Sequence, residues 1–129
     1  MPGLIVYIDS SKIHEGKEQE LEAAMSRLAE FVKANEPQLL SYAIYLNEGA
    51  TRMTVIAVHP DSASMEFHMR VAGAEFRKLR DLITLTRIEV YGEVSERALE
   101  QLHQKAQMLG GGSVTVSHPS AGFARFGAR

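Results

Sequence analysis

Along this chain the apolar residues switch repeatedly between two spacings, every second residue and every third or fourth, and the order of the switches limits the folds open to it. Leu4-Ile5-Val6-Tyr7-Ile8 is β-branched, aromatic and apolar on both faces, the pattern of a strand covered on both sides. From Gly16 to Asn35 the residues Leu21, Met25, Leu28 and Val32 recur at helical spacing, with Ala24 and Phe31 widening the stripe. Glu18 and Glu20 suit the positive end of that helix, and Pro37 biases Glu36 out of helical geometry, so the helix is expected to stop near Asn35.

Period two returns in Leu39 to Leu46, where Leu40, Tyr42, Ile44 and Leu46 oppose Leu39, Ser41, Ala43 and Tyr45. Turn residues Asn47-Glu48-Gly49-Ala50 lead into a second alternating run, Arg52 to Val58, and the pair reads as a hairpin. Pro60-Asp61-Ser62 offers a cap for a helix with Met65, Met69, Ala72, Phe76 and Leu79 on its stripe, expected to reach about Asp81 with a weak point at Gly73. Ile83 to Tyr91 alternates again and ends at Gly92. Ser95 caps a third helix striped by Ala98 or Leu99, Leu102, Ala106 and Leu109.

The order β-α-β-β-α-β is the split βαβ pattern of an α+β ferredoxin-like fold, a four-stranded antiparallel sheet with both helices on one face. One domain over residues 1–109, carrying the extra C-terminal helix, is followed by a Gly-rich tail over residues 110–129, where Val114 and Val116 suggest a short edge strand. The other sheet face needs a cover. Ile5, Tyr7 and the second face of the hairpin are read as that apolar surface, covered by a symmetry-related copy in a homodimer.

Composition narrows the partners. Net charge is -2 with both signs interspersed, which lacks the basic footprint of a nucleic-acid binder. Cys is absent, which removes disulfides, thiolate metal sites and cysteine nucleophiles and points to a cytoplasmic setting. No apolar run approaches the roughly 20 residues that span a bilayer, and Leu4 to Ile8 is too short for a secretion signal.

The stretch Gly16-Lys17-Glu18-Gln19-Glu20-Leu21, the hairpin from Leu40-Ser41-Tyr42 to Val58, and His59-Pro60-Asp61 through Phe76 resemble the antibiotic biosynthesis monooxygenase family, over residues 3–92. The resemblance implies a dimeric α/β barrel and a small apolar or aromatic ligand. It also places His68 where family members carry a histidine facing the cleft between the second helix and the sheet. Glu75 stands where a second histidine often precedes the phenylalanine, and Ile56, Ala57 and Val58 replace the aromatic and acidic residues frequent in the preceding strand. With no Trp in the chain, the haem-degrading branch that uses Asn, Trp and His falls away.

On that footing His68 is the candidate base of a cofactor-independent oxygenase acting on a phenolic or quinol-like substrate, because histidine titrates near neutral pH. Tyr42, Tyr45, Tyr7 and Met65 are the candidate substrate contacts, with neither metal nor cofactor expected. The competing reading leaves His68 as a core-edge residue, in a non-catalytic ligand-binding or accessory protein that uses the same cleft, or in an assembly module presenting the third helix and tail. His14, His59 and His118 are read as surface histidines, and Arg70, Arg77, Lys78 and Arg80 as an ordinary charged face.

Overall fold

The computed structural model describes residues 3–126; the last residues of the tail, 127–129, lie outside that range. Its elements are β1 (Ile5–Ile13), α1 (Glu18–Asn35), β2 (Ser41–Leu46), β3 (Arg52–His59), α2 (Ser62–Arg77), β4 (Ile83–Tyr91), α3 (Glu96–Met108) and β5 (Ser113–Ser117). The sheet runs β2-β3-β1-β4-β5. Its first four strands pair antiparallel in the ferredoxin-like order, and β5 joins the β4 edge in parallel. The expected four-stranded sheet is therefore five-stranded. α3 is the crossover that lets two neighbouring strands run the same way, which no tight hairpin can do.

The helices cover the sheet face carrying Ile5, Tyr7, Asp9 and Ser11 of β1, with Met53, Val55, Ala57 and His59 of β3 in line with them. This corrects the reading of Ile5 and Tyr7 as the exposed apolar surface: both are fully buried inside the one chain. A strand apolar on both faces carries no sign of which face meets the helices. The open face is carried instead by Val6 and Ile8, beside Ile56 and Val58, with Ala43 and Tyr45 beyond. β1 also runs on to Ile13, through Asp9, Ser10 and Ser11, all of them buried.

Two differences at α2 have local causes. It is continuous through Gly73 and ends at Arg77, after which turns carry the chain to β4 and bury Leu79 outside the helix. Asp61 caps it by accepting from the Ser64 amide at 2.8 Å. The cap read for α3 is present: Ser95 Oγ accepts from the Ala98 amide at 3.0 Å.

Two glycines predict opposite responses. A Cβ on Gly73 would meet nothing within 4 Å, so Gly73→Ala should raise stability by about 0.5–1 kcal/mol through helix propensity. A Cβ on Gly112 would lie 2.7 Å from the Leu85 carbonyl oxygen, backbone that cannot swing aside. Gly112→Ala should therefore lower stability by about 1–3 kcal/mol as β5 is pushed off β4. Urea unfolding of the two variants beside the parent chain checks both signs.

Candidate functional site

Alternation along β1 carries Asp9 onto the same face as Ile5 and Tyr7, so a carboxylate faces the helices from the sheet's central strand. Helical spacing does the same in α3: Lys105 follows Ala98 by two turns and shares its buried stripe. The two meet under the helices. Lys105 Nζ donates to Asp9 Oδ2 at 3.3 Å and to the Tyr7 hydroxyl at 2.8 Å, and Tyr7 donates in turn to Asp9. The ammonium lies 3.9 Å from the centre of the Phe76 ring, in cation–π contact.

A second pair forms between the end of α1 and the middle of α2. His68 Nδ1 lies 2.8 Å from both carboxylate oxygens of Glu36. A carboxylate only accepts, so in the neutral ring Nδ1 carries the proton and Nε2 keeps the lone pair. His68 is 1 % exposed, framed by Tyr42 at 5.5 Å, His59 at 5.6 Å and the Phe76 edge at 5.2 Å between ring centres. Phe76 thus touches both pairs.

These neighbours set the proton affinities. Burial lowers that of His68, the Glu36 hydrogen bond and charge oppose it, and the Lys105 charge lowers it further. Burial, reinforced by the charge of His68, pulls His59 down to about 3. Burial lowers Lys105 as well, against the pull of Asp9. Burial and the nearby Asp9 charge raise both Tyr7 and Tyr42, holding their hydroxyls protonated as donors.

Space is unevenly distributed around this interior. A cavity of about 10 Å³, lined by Asp9, Ser11, Tyr42, Phe76 and Lys105 among apolar side chains, has room for one water-sized group. Asp9 Oδ1 and Ser11 Oγ are buried there without a protein partner. At the surface, a groove of about 370 Å³ between the end of α1 and β2 is lined by Val32, Lys33, Glu36, Leu39, Leu40 and Tyr42. Glu36 and Tyr42 therefore border the groove and contact His68 on the inner side, the Glu36 carboxylate being wholly buried.

Of the residues expected at a site, His68, Tyr7, Tyr42 and Met65 all lie on the helix side of the sheet. Tyr45 does not; it points to the opposite face and is 54 % exposed. His59 is corrected from surface to core: it is fully buried, with Nδ1 2.7 Å from Ser64 Oγ and Nε2 unpartnered. His14 bridges the Asp81 carbonyl and the Thr84 hydroxyl, pinning the turn before α1 to β4. Asp9, Glu36 and Lys105 were not singled out by the sequence, although Asp9 and Lys105 occupy buried positions of their own periodic patterns. Among the described residues no cluster of His, Cys, Asp and Glu could hold a metal ion, and no helix is long and apolar enough to cross a membrane.

The sequence profile described as antibiotic biosynthesis monooxygenase matches residues 4–80. No curated protein matches the chain. Among solved structures, MupZ from Pseudomonas fluorescens superposes with a TM-score of 0.74 at 19 % identity, covering 97 % of this chain and 91 % of that one. SnoaB, a cofactor-independent oxygenase from Streptomyces nogalater, gives 0.60 at 19 %, covering 72 % and 95 %. A conserved protein from Methanosarcina mazei Go1 gives 0.61 at 19 %, covering 69 % and 91 %. At these identities the likeness shows a shared fold. The match to MupZ, at 97 % of this chain, takes in α3 and β5.

The buried neutral histidines make stability depend on acidity. His59 titrates near 6.5 when unfolded and about 3 when folded, so between those values the unfolded chain binds the extra proton. Its contribution is intact above pH 6.5 and is lost as pH falls toward 3. Between pH 7 and pH 5 the loss should be about 2 kcal/mol from this residue. Urea midpoints at the two values should show it, and the drop should shrink in His59→Asn.

Proposed function

The chain belongs to the antibiotic biosynthesis monooxygenase family, and from that premise we propose that it is a cofactor-independent monooxygenase in which His68, held by Glu36, deprotonates a phenolic or quinol-like substrate. The observation that carries this reading is the buried Glu36–His68 pair at 2.8 Å. Glu36 orients the ring, fixes the proton on Nδ1 and stabilises the imidazolium that forms when Nε2 takes a proton. The groove of about 370 Å³ beside Glu36 and Tyr42 is within the volume range of small-molecule sites. Tyr42 supplies a hydrogen-bond donor there, and Val32, Leu39 and Leu40 the apolar walls, while Met65, one turn before His68 on α2, is fully buried behind them. Tyr7 acts from behind, through its bond to Asp9.

The chemistry balances without an added reductant when the keto form of the substrate carries an acidic methylene. His68 removes one proton, and the carbanion, delocalised as an enolate, passes an electron to dioxygen; the two radicals combine as a peroxide anion, which takes the proton back from His68 and becomes a hydroperoxide. Loss of water then leaves a carbonyl, so that one methylene and one dioxygen give one carbonyl and one water. The substrate supplies all four electrons. The Tyr42 ring and the apolar residues of the groove wall suit a delocalised anion, which loses less than a localised one on leaving water.

One observation favours a second reading, a ligand-holding protein without chemistry: His68 is almost fully buried and lines neither the groove nor the interior cavity of about 10 Å³, so a ring bound in the groove meets Glu36 and Tyr42 and not the imidazole.

The open sheet face bears on assembly. Members of this family are typically dimeric, and Val6, Ile8 and Ile56 form an apolar strip on the face the helices leave uncovered. A second copy covering that strip accounts for it. Sedimentation should give twice the 14.3 kDa chain mass, and Ile56→Lys should return the mass to that of one chain.

Oxygen uptake with a panel of anthrones and hydroquinones tests the activity. His68→Ala should lower kcat by about 10²–10⁴, and Glu36→Gln should also lower it while moving the pH profile. Calorimetric binding of the same compounds by the parent chain with no oxygen uptake would establish the ligand-holding reading in place of the enzyme.

A further inference from the structure

On the far side of the domain from the α1–β2 groove, α2 and α3 enclose a groove of about 260 Å³. Arg70, Gly73 and Arg77 of α2 line it together with Gln101, Gln104 and Lys105 of α3. The reaction proposed for His68 uses none of these side chains. We propose that this groove is a second small-molecule site, in which Lys105 forms a reversible imine with a small oxo acid whose carboxylate is held by Arg70 and Arg77.

Four observations converge on it. Lys105 is only 8 % exposed yet lines both the groove and the interior cavity, so its side chain connects the two spaces. Its amine already touches two groups able to move protons, the Tyr7 hydroxyl at 2.8 Å and Asp9 at 3.3 Å. Arg70 and Arg77 stand two helical turns apart on one face of α2, and neither enters an ion pair among the described residues. Their planar forks match a carboxylate. Lastly, Gly73 lies between them with no atom within 4 Å of where its Cβ would be. Neither close packing nor a positive φ calls for glycine at that point, and its effect is to leave the groove open.

The step closes on groups already in place. Burial disfavours the ammonium form of Lys105, and its proton passes to Asp9 directly or through Tyr7. The free amine adds to the carbonyl carbon and gives a carbinolamine. Gln101, one turn before Lys105 on α3 and on the groove lining, carries a buried Oε1 without a protein partner, an acceptor for the new hydroxyl. The Tyr7–Asp9 pair returns the proton, the hydroxyl leaves as water, and the C=N bond forms. Amine plus carbonyl gives imine plus water, with no oxidant or reductant.

The test is reductive trapping on the full chain with glyoxylate and cyanoborohydride, read by intact mass and peptide mapping. Lys105 should carry the adduct at a rate at least about tenfold above the surface lysines Lys12, Lys33 and Lys78. Arg77→Gln should slow trapping of glyoxylate several-fold but leave that of acetone unchanged, and Gly73→Leu should block both while the chain stays folded by circular dichroism. Adducts confined to surface lysines in the parent chain overturn the proposal. Labelling of Lys105 that is indifferent to both variants overturns the groove as its binding site. Oxygen uptake is read separately on the untreated chain, so failure of the imine leaves the reading of His68 to its own assay.

Discussion

A lysine ammonium held against an aspartate inside the core is the constraint on which the rest of this molecule depends. Asp9 sits on β1, the strand flanked by β3 and β4, facing inward away from bulk solvent. An unpaired carboxylate there would cost several kcal/mol, and loss of either partner from such a pair typically costs about 3–5 kcal/mol. The partner comes from α3, 96 positions away in the chain. The C-terminal helix is therefore an integral wall of the domain, although the family profile ends at residue 80, before β4 begins.

That tether explains the extra strand. With α3 packed on α2 and β4 and its Lys105 side chain reaching in to β1, the chain leaving Leu109 returns along the β4 edge, and β5 completes a β4-α3-β5 unit with parallel strands. The Gly111 amide donating to the Ala106 carbonyl at 2.7 Å and the Leu85 amide donating to the Leu109 carbonyl at 2.7 Å stitch this corner shut. Gly112 then passes so close to β4 that no side chain fits.

The period of the apolar residues made the order of elements legible, since each switch between two and 3.6 marks a change from strand to helix. The same arithmetic placed more of the site than residue type suggested. Counting by two from Ile5 and Tyr7 reaches Asp9, and adding seven to Ala98 reaches Lys105, so periodicity alone assigns both to inward-facing positions. Their charge masked them, because a charged residue is almost never buried unless paired and the pairing is invisible in one dimension. Glu36 illustrates the same limit. It reads as the residue a proline forces out of a helix, yet that break is what turns its carboxylate toward His68, 32 positions on. His59 reads as a strand end before Pro60, whereas the alternation of β3 turns it inward and the Ser64 hydroxyl at the start of α2 meets it there.

The two buried pairs are one electrostatic system. The charge of Lys105 lowers the proton affinity of His68 while that of Asp9 raises it, and the Phe76 ring stands between them, edge to the imidazole and in contact with the ammonium. In so dry an interior these influences are weakly screened and depend on distances that packing fixes. The groups come from six elements: Asp9 and Tyr7 from β1, Glu36 from the end of α1, Tyr42 from β2, His59 from β3, His68 and Phe76 from α2, and Lys105 from α3. A shift of any one element changes the basicity of His68, so the fold as a whole, rather than any short motif, sets what that histidine can do.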